Sequence, residues 1–159
     1  MRAFANTGFR GVIGVSGHSG GSQEDLRLVA RIFSERFGIP IVIQSDPEWV
    51  AGLYEGDHAG AYEISQLLAI EPELINLSLL QRGQEADSGG RLALGEDAAE
   101  ATTEKGHEIN EAILSGIAET LESLPLSPGA IYYIEDHEIV DLWKTIISRS
   151  DPWHSRTGG

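Results

Sequence analysis

The chain of 159 residues is the size of one domain and long enough to bury a core. A net charge of −14 and a pI near 4.6 exclude nucleic acid and anionic membrane as partners, since both repel an acidic surface. The absence of cysteine excludes a disulfide framework and thiol chemistry. No apolar run approaches the ~20 residues of a spanning helix, and Met1–Asn6 lacks the apolar core of a secretory signal, so the expected location is cytoplasmic.

In chain order, Met1–Thr7 reads as the tail of a helix with Gly8 as its C-cap. Opening inside a helix suits a truncated or split domain. Gly11–Val15 is a short apolar run with the character of a buried strand. A Gly/Ser loop over 16–21 follows, then Ser22 as an N-cap with Asp25 in the capping-box position. Leu26, Val29, Ala30, Phe33 and Phe37 recur at helical spacing, and Gly38 with Pro40 ends that helix. Ile41–Ile43 is the next buried strand. Strand, loop, helix and strand in so short a span form a βαβ unit, which predicts an α/β fold with a parallel sheet flanked by helices.

Residues 44–60 form a long connection rich in Asp, Gly, Trp and Tyr, the kind of loop that carries function. The pattern predicts a helix over 61–70, stopped ahead of Pro72, and a glycine-rich mobile loop over 82–97. The longest helix is expected over 98–124, with Ile109, Ala112, Ile113, Ile117 and Leu121 on one face. After Pro125 the chain changes character. An edge strand is expected over 130–134, then an amphipathic helix carrying Ile139, Val140, Trp143, Ile146 and Ile147, and a frayed end from Trp153. No internal repeat is present.

Ligands of a parallel sheet bind beyond the C-terminal ends of its strands, and His18 sits on such a loop. Glycines 17, 20 and 21 let the backbone approach an ion or substrate closely. From spacing alone, His18 is either a metal ligand or a solvent-facing histidine in a tight turn. Gly17-His18-Ser19-Gly20-Gly21 also fits the G-x-S-x-G nucleophile elbow, in which Ser19 would attack an acyl carbon with His137 or His154 as base and Asp136 orienting it. Asp57 and His58 are adjacent, so they need a turn to act as a carboxylate–imidazole pair; Gly56 and Gly60 supply one. Glu63 falls at N3 if Gly60 caps the helix, where a carboxylate is favourable through the helix dipole alone. Trp49 and Tyr54 precede His58 and either wall a pocket or pack the loop.

Three stretches in order carry a resemblance. They are Ser16-Gly17-His18-Ser19-Gly20-Gly21 after a strand, Asp57-His58-Ala59-Gly60-Ala61-Tyr62-Glu63-Ile64-Ser65 at a helix start, and Leu94-Gly95-Glu96-Asp97 leading to Thr103-Glu104-Lys105-Gly106. Over residues 4–124 they resemble the creatininase family of metal-dependent amidohydrolases. The resemblance implies creatininase-like α/β/α layers over 1–124, incomplete because the family's N-terminal part is missing, with 125–159 as an extension. It implies hydrolysis of an amide, cyclic amide or formamide C–N bond, with two divalent ions (zinc, manganese or iron) activating a bridging water. On this reading His18 is a metal ligand and His58 passes a proton to the leaving nitrogen. Glu63 supports the site, and Trp49, Tyr54 and Asp57 contact the substrate.

The family's other ligands, a Glu-x-His and an Asp, precede the matched stretch. Further copies of this chain or a complementary N-terminal chain are therefore expected as partners, beside the small amide substrate. Ser16 stands where the family has Asn, Ile64 where it has Thr, and Gly20 where creatininase has a metal-binding Glu. Ala61 stands where relatives with that glycine offer a Glu instead. These departures support a second reading, a non-catalytic remnant that keeps the fold and the oligomer contacts.

Overall fold

The computed structural model describes residues 1–17, 21–80, 82, 85, 87, 94–126 and 133–149. They belong to two compact units, Met1–Ser45 with Glu119–Gly159, and Asp46–Ala118. No helix among the described residues is long and apolar enough to cross a membrane.

The first unit is built on two parallel strands, β1 (Val12–Ser16) and β2 (Ile41–Ser45), with Val12 opposite Ile41 and Ser16 opposite Ser45. Helix α1 (Arg2–Asn6) ends as the sequence predicts. Gly8 takes φ of 92°, the Gly8 N–H donates to the Ala5 carbonyl and the Phe9 N–H to the Phe4 carbonyl, each at 3.0 Å. The Phe4 and Phe9 rings meet edge to face, completing a Schellman motif with its apolar contact. Helix α2 (Gly21–Phe37) connects the strands, and the Arg27 Nε donates to the Ile43 carbonyl at 3.1 Å. Parallel strands joined by a helix make this an α/β fold, as the apolar runs predict.

Several local expectations need correction. Helix α2 begins at Gly21, so Ser22 lies inside its first turn and is not a flanking cap, and Asp25 is buried. The core face of α2 is Ala30, Ile32 and Phe33, whereas Leu26 is exposed. Residues 130–132 of the expected edge strand, and the chain from 150 on, lie outside the described residues. Tyr133 and Ile134 are not in a strand, because the Asn6 side chain takes the ladder's place. Its Oδ1 accepts the Ile134 N–H at 2.8 Å and its Nδ2 donates to the Ile134 carbonyl at 3.1 Å.

The last helix, α6 (Asp136–Arg149), forms as predicted, and only part of its expected face, Ile139 and Ile146, meets the core. Leu142 and Ile146 are buried with Ala5, Ile32, Phe33 and Ile134, and Ile139 packs beside them. Val140, Trp143 and Ile147 are more than half exposed. Two apolar rows run along this helix, and the row through Leu142 faces the core.

The second unit starts with α3 (Asp46–Trp49), so the connection over 44–60 has helical structure at its head. Helix α4 (Ala61–Ile70) has the predicted bounds, and the residue before Pro72 is disfavoured in helical conformation. The long helix α5 starts at Thr103, not Ala98, and runs to Ser123. Ala98–Glu100 form a 3₁₀ turn, and the Thr102 hydroxyl accepts the Lys105 N–H at 3.1 Å, an N-cap that fixes where the α-helix begins. Two apolar clusters hold this unit. Val50, Tyr62, Ile109 and Ile113 form one, and Ile64, Leu68, Ala98 and Ala101 the other.

Candidate active site

The turn at 57–60 is organised by the orphan donors of α4. A helix start leaves its first N–H groups without intrahelical partners, and carboxylates satisfy them best because the dipole adds to the hydrogen bond. Here Asp57 Oδ2 accepts the Tyr62 N–H at 2.7 Å, and its Oδ1 accepts those of Gly60 and Glu63 at 3.2 and 3.3 Å. The Ala61 N–H donates to Asp97 Oδ1 at 3.1 Å. Glu63 Oε2 reaches back to the Ala59 N–H at 2.7 Å. This is a capping-box reach displaced by one residue. Three carboxylates thus serve five consecutive main-chain donors, from Ala59 to Glu63.

The loop at 94–97 is the outer half of this arrangement. The Gly95 N–H donates to the Ala59 carbonyl at 3.0 Å. A Cβ on Gly95 would lie 2.6 Å from the Gly60 Cα, so only glycine lets the two backbones meet. A Cβ on Gly60 would in turn enter the Asp57 and Asp97 carboxylates. Asp97 and Gly95 belong to a stretch that the sequence marks as family-like, but nothing local assigns them this contact.

His58 is exposed at the tip of this turn, and its imidazole has no hydrogen-bond partner among the described residues. The acceptor contacts of Asp57 all go to helix-start N–H groups and none to His58. Ala59, next in the chain, has φ of 49°, a left-handed conformation costing a residue with a Cβ roughly 1–2 kcal/mol. Its N–H and its carbonyl are both held, by Glu63 and Gly95. Ala59→Gly should therefore leave stability unchanged or raise it by up to ~1 kcal/mol. Ala59→Val should lower it by about 2 kcal/mol, since β-branching tolerates positive φ worst. Urea unfolding of the two variants checks the opposite signs.

Trp49 and Tyr54 are half-buried beside Val50, Tyr62, Ile109 and Ile113. A Cβ on Gly116 would lie 2.8 Å from the Trp49 Cγ, so that glycine makes room for the indole. The Tyr54 hydroxyl donates to Glu108 Oε2 at 2.5 Å. That bond, with lesser desolvation and charge effects, raises the phenol's pKa. The Tyr62 hydroxyl, on a residue only 4% exposed, donates to Asp46 Oδ2 at 3.0 Å. Burial, then the Asp46 charge, pushes its pKa far up, so it stays protonated and a donor.

Behind the turn, buried Ser65 accepts the Thr102 N–H on its Oγ at 3.0 Å. Gly106 sits against the Ser65 carbonyl. The patterning reads Glu104, Lys105 and Gly106 as one solvated face; only Glu104 is exposed, Lys105 is half-buried and Gly106 is buried.

His18 and Ser19 lie outside the described residues, as does His154. His137 is exposed in the first turn of α6, and Asp136 is ion-paired with Arg2. Among the described residues no three His, Asp or Glu side chains form a group able to hold a metal ion. The carboxylates nearest His58 are engaged with main-chain donors. The described residues alone therefore do not fit the two-ion site that the resemblance implies.

A family model, creatininase, described as creatinine amidohydrolase, matches residues 1–121. No curated protein matches the chain, and no solved structure does. The matched span takes in the parallel strands, the His58 turn, the Asp97 loop and the Ser65–Gly106 contact. On that match, which covers most of its length, the chain belongs to the creatininase family.

Proposed function

We propose that this chain hydrolyses the C–N bond of a small linear or cyclic amide, with His58 passing a proton to the leaving nitrogen. The supporting observation is the turn itself: an exposed imidazole on a base whose main-chain donors from Ala59 to Glu63 are all bound by carboxylates. Amide nitrogen is a poor leaving group until protonated, and imidazole can give and take a proton near neutrality. Glu63 acts as a positioning residue, holding the Ala59 N–H and with it the backbone that carries His58. Asp57 acts the same way from the other side of the turn.

His18 is proposed as the ligand of a zinc, manganese or iron ion, completed by groups beyond the described residues. Metal content after dialysis should fall to background in His18→Ala, measured by plasma mass spectrometry. Equal metal in both proteins would remove His18 from this role.

Release of ammonia or amine from formamides, acetamides and cyclic amides, with each metal supplied in turn, tests the activity. Turnover supports hydrolysis. A second reading, a non-catalytic member of the family, is favoured by the use of Asp57, Glu63 and Asp97 in the helix start and by Gly20 and Ala61 lacking carboxylates. It predicts no turnover across the whole panel.

A further inference from the structure

The second unit holds a cavity of about 430 Å³ whose lining includes Ala59 and Glu63 of the His58 turn. Its volume falls within the range of small-molecule sites. Its walls include Leu67 of α4 and Leu77 and Leu80 of the following turns, and among the described lining residues only Glu63 and Asn76 have polar side chains. Leu74, Leu77 and Leu79 remain exposed here by 70, 41 and 53%. So much apolar surface in one place marks a binding site more often than chance.

The two polar groups narrow the ligand. Glu63 uses one oxygen on the Ala59 N–H, and a carboxylate has about four acceptor positions, so it retains capacity for a ligand N–H. Its charge disfavours an acid. The Asn76 Oδ1 is taken by the Ser78 N–H and hydroxyl, which leaves its amide N–H as the donor. An apolar chamber lined by a carboxylate complements an N–H group that carries an apolar substituent.

We propose that this cavity takes the apolar body of the amide substrate, with the amide N–H accepted by Glu63. The chain would then prefer amides bearing a medium aliphatic or aromatic group over small polar ones. This inference rests on the amidohydrolase reading above and names its substrate class.

The test is binding, read separately from turnover. The intact chain is titrated with acetamide, N-butylacetamide and N-benzylacetamide, following Ile and Leu methyl resonances. Each added methylene should tighten Kd about threefold to fourfold until the cavity fills, with the largest shifts at Ile64, Leu67 and Leu77. Leu67→Gln and Leu77→Gln, on separate elements, should each weaken N-butylacetamide about tenfold and leave acetamide unchanged. Melting curves of both variants check that they fold. Equal Kd values across the series, or shifts centred away from the cavity, overturn the proposal. Turnover without preference for the longer amides also overturns it, while hydrolysis stands. Preferential binding without turnover of any amide supports the cavity and counts against hydrolysis.

Discussion

His58→Gln should lower kcat/KM for amide hydrolysis by about 10²–10⁴-fold, the usual contribution of a positioned general acid or base. Its melting temperature should stay close to that of the parent. Both halves follow from the geometry. The imidazole is exposed and has no hydrogen-bond partner among the described residues, so removing it costs the fold little. The turn beneath is held by Asp57, Glu63 and Asp97 through main-chain donors, so glutamine inherits the same backbone position without a group able to exchange protons. A side chain that merely packed a turn would behave in reverse, with a lower melting temperature and unchanged turnover. Full activity in His58→Gln would remove the proton-transfer role.

The elements of this chain are legible wherever the signal is local. Helix α4 is bounded by a glycine cap and a following proline, and its predicted limits are those observed. The two strands are short apolar runs set off by glycine and proline, and they pair in parallel as a βαβ unit requires. Glu63 is legible as a helix-start carboxylate because N3 lies at a fixed offset from the cap. Asp97 is not. Its contact with the Ala61 N–H spans 36 residues, and nothing within either segment says which carboxylate meets which donor. Periodicity also fails where two apolar rows share one helix. In α6 the patterning selects Ile139, Val140, Trp143, Ile146 and Ile147; the core takes Ile146 and, beside it, Ile139, but adds Leu142 and leaves the other three exposed, because the choice depends on what α6 packs against. Read locally, His58 is one histidine in a glycine-rich turn, and a role for it comes only from the resemblance; that the turn's main-chain donors are held by three carboxylates is visible only in the structure.

Gly106 is the position where local reading and structure predict opposite signs. Set among Glu104, Lys105, His107 and Glu108, it reads as a solvated helix residue. Alanine there would then stabilise the protein by roughly 1 kcal/mol through helix propensity. The structure predicts instead that Gly106→Ala destabilises by about 2–4 kcal/mol in urea unfolding. A Cβ would be driven into the Ser65 carbonyl oxygen, 2.5 Å from the Ser65 carbonyl carbon and 2.9 Å from the Ala69 Cβ. Main chain cannot rotate aside as a side-chain tip can, so α4 and α5 must separate.

Overpacking of this kind costs about 1–3 kcal/mol. The separation also strains the partly buried bond from the Thr102 N–H to Ser65 Oγ, whose loss adds about 1–3 kcal/mol. The propensity gain offsets only a fraction of that. Ser65→Ala isolates the second effect, because it removes the hydroxyl and leaves the carbonyl and its contact with Gly106 in place. It should cost about 1–2 kcal/mol, less than Gly106→Ala. If Gly106→Ala proves neutral or stabilising, the close approach of the two helices is wrong. The rigid placement of α4, whose start carries the His58 turn, would then lose its main support.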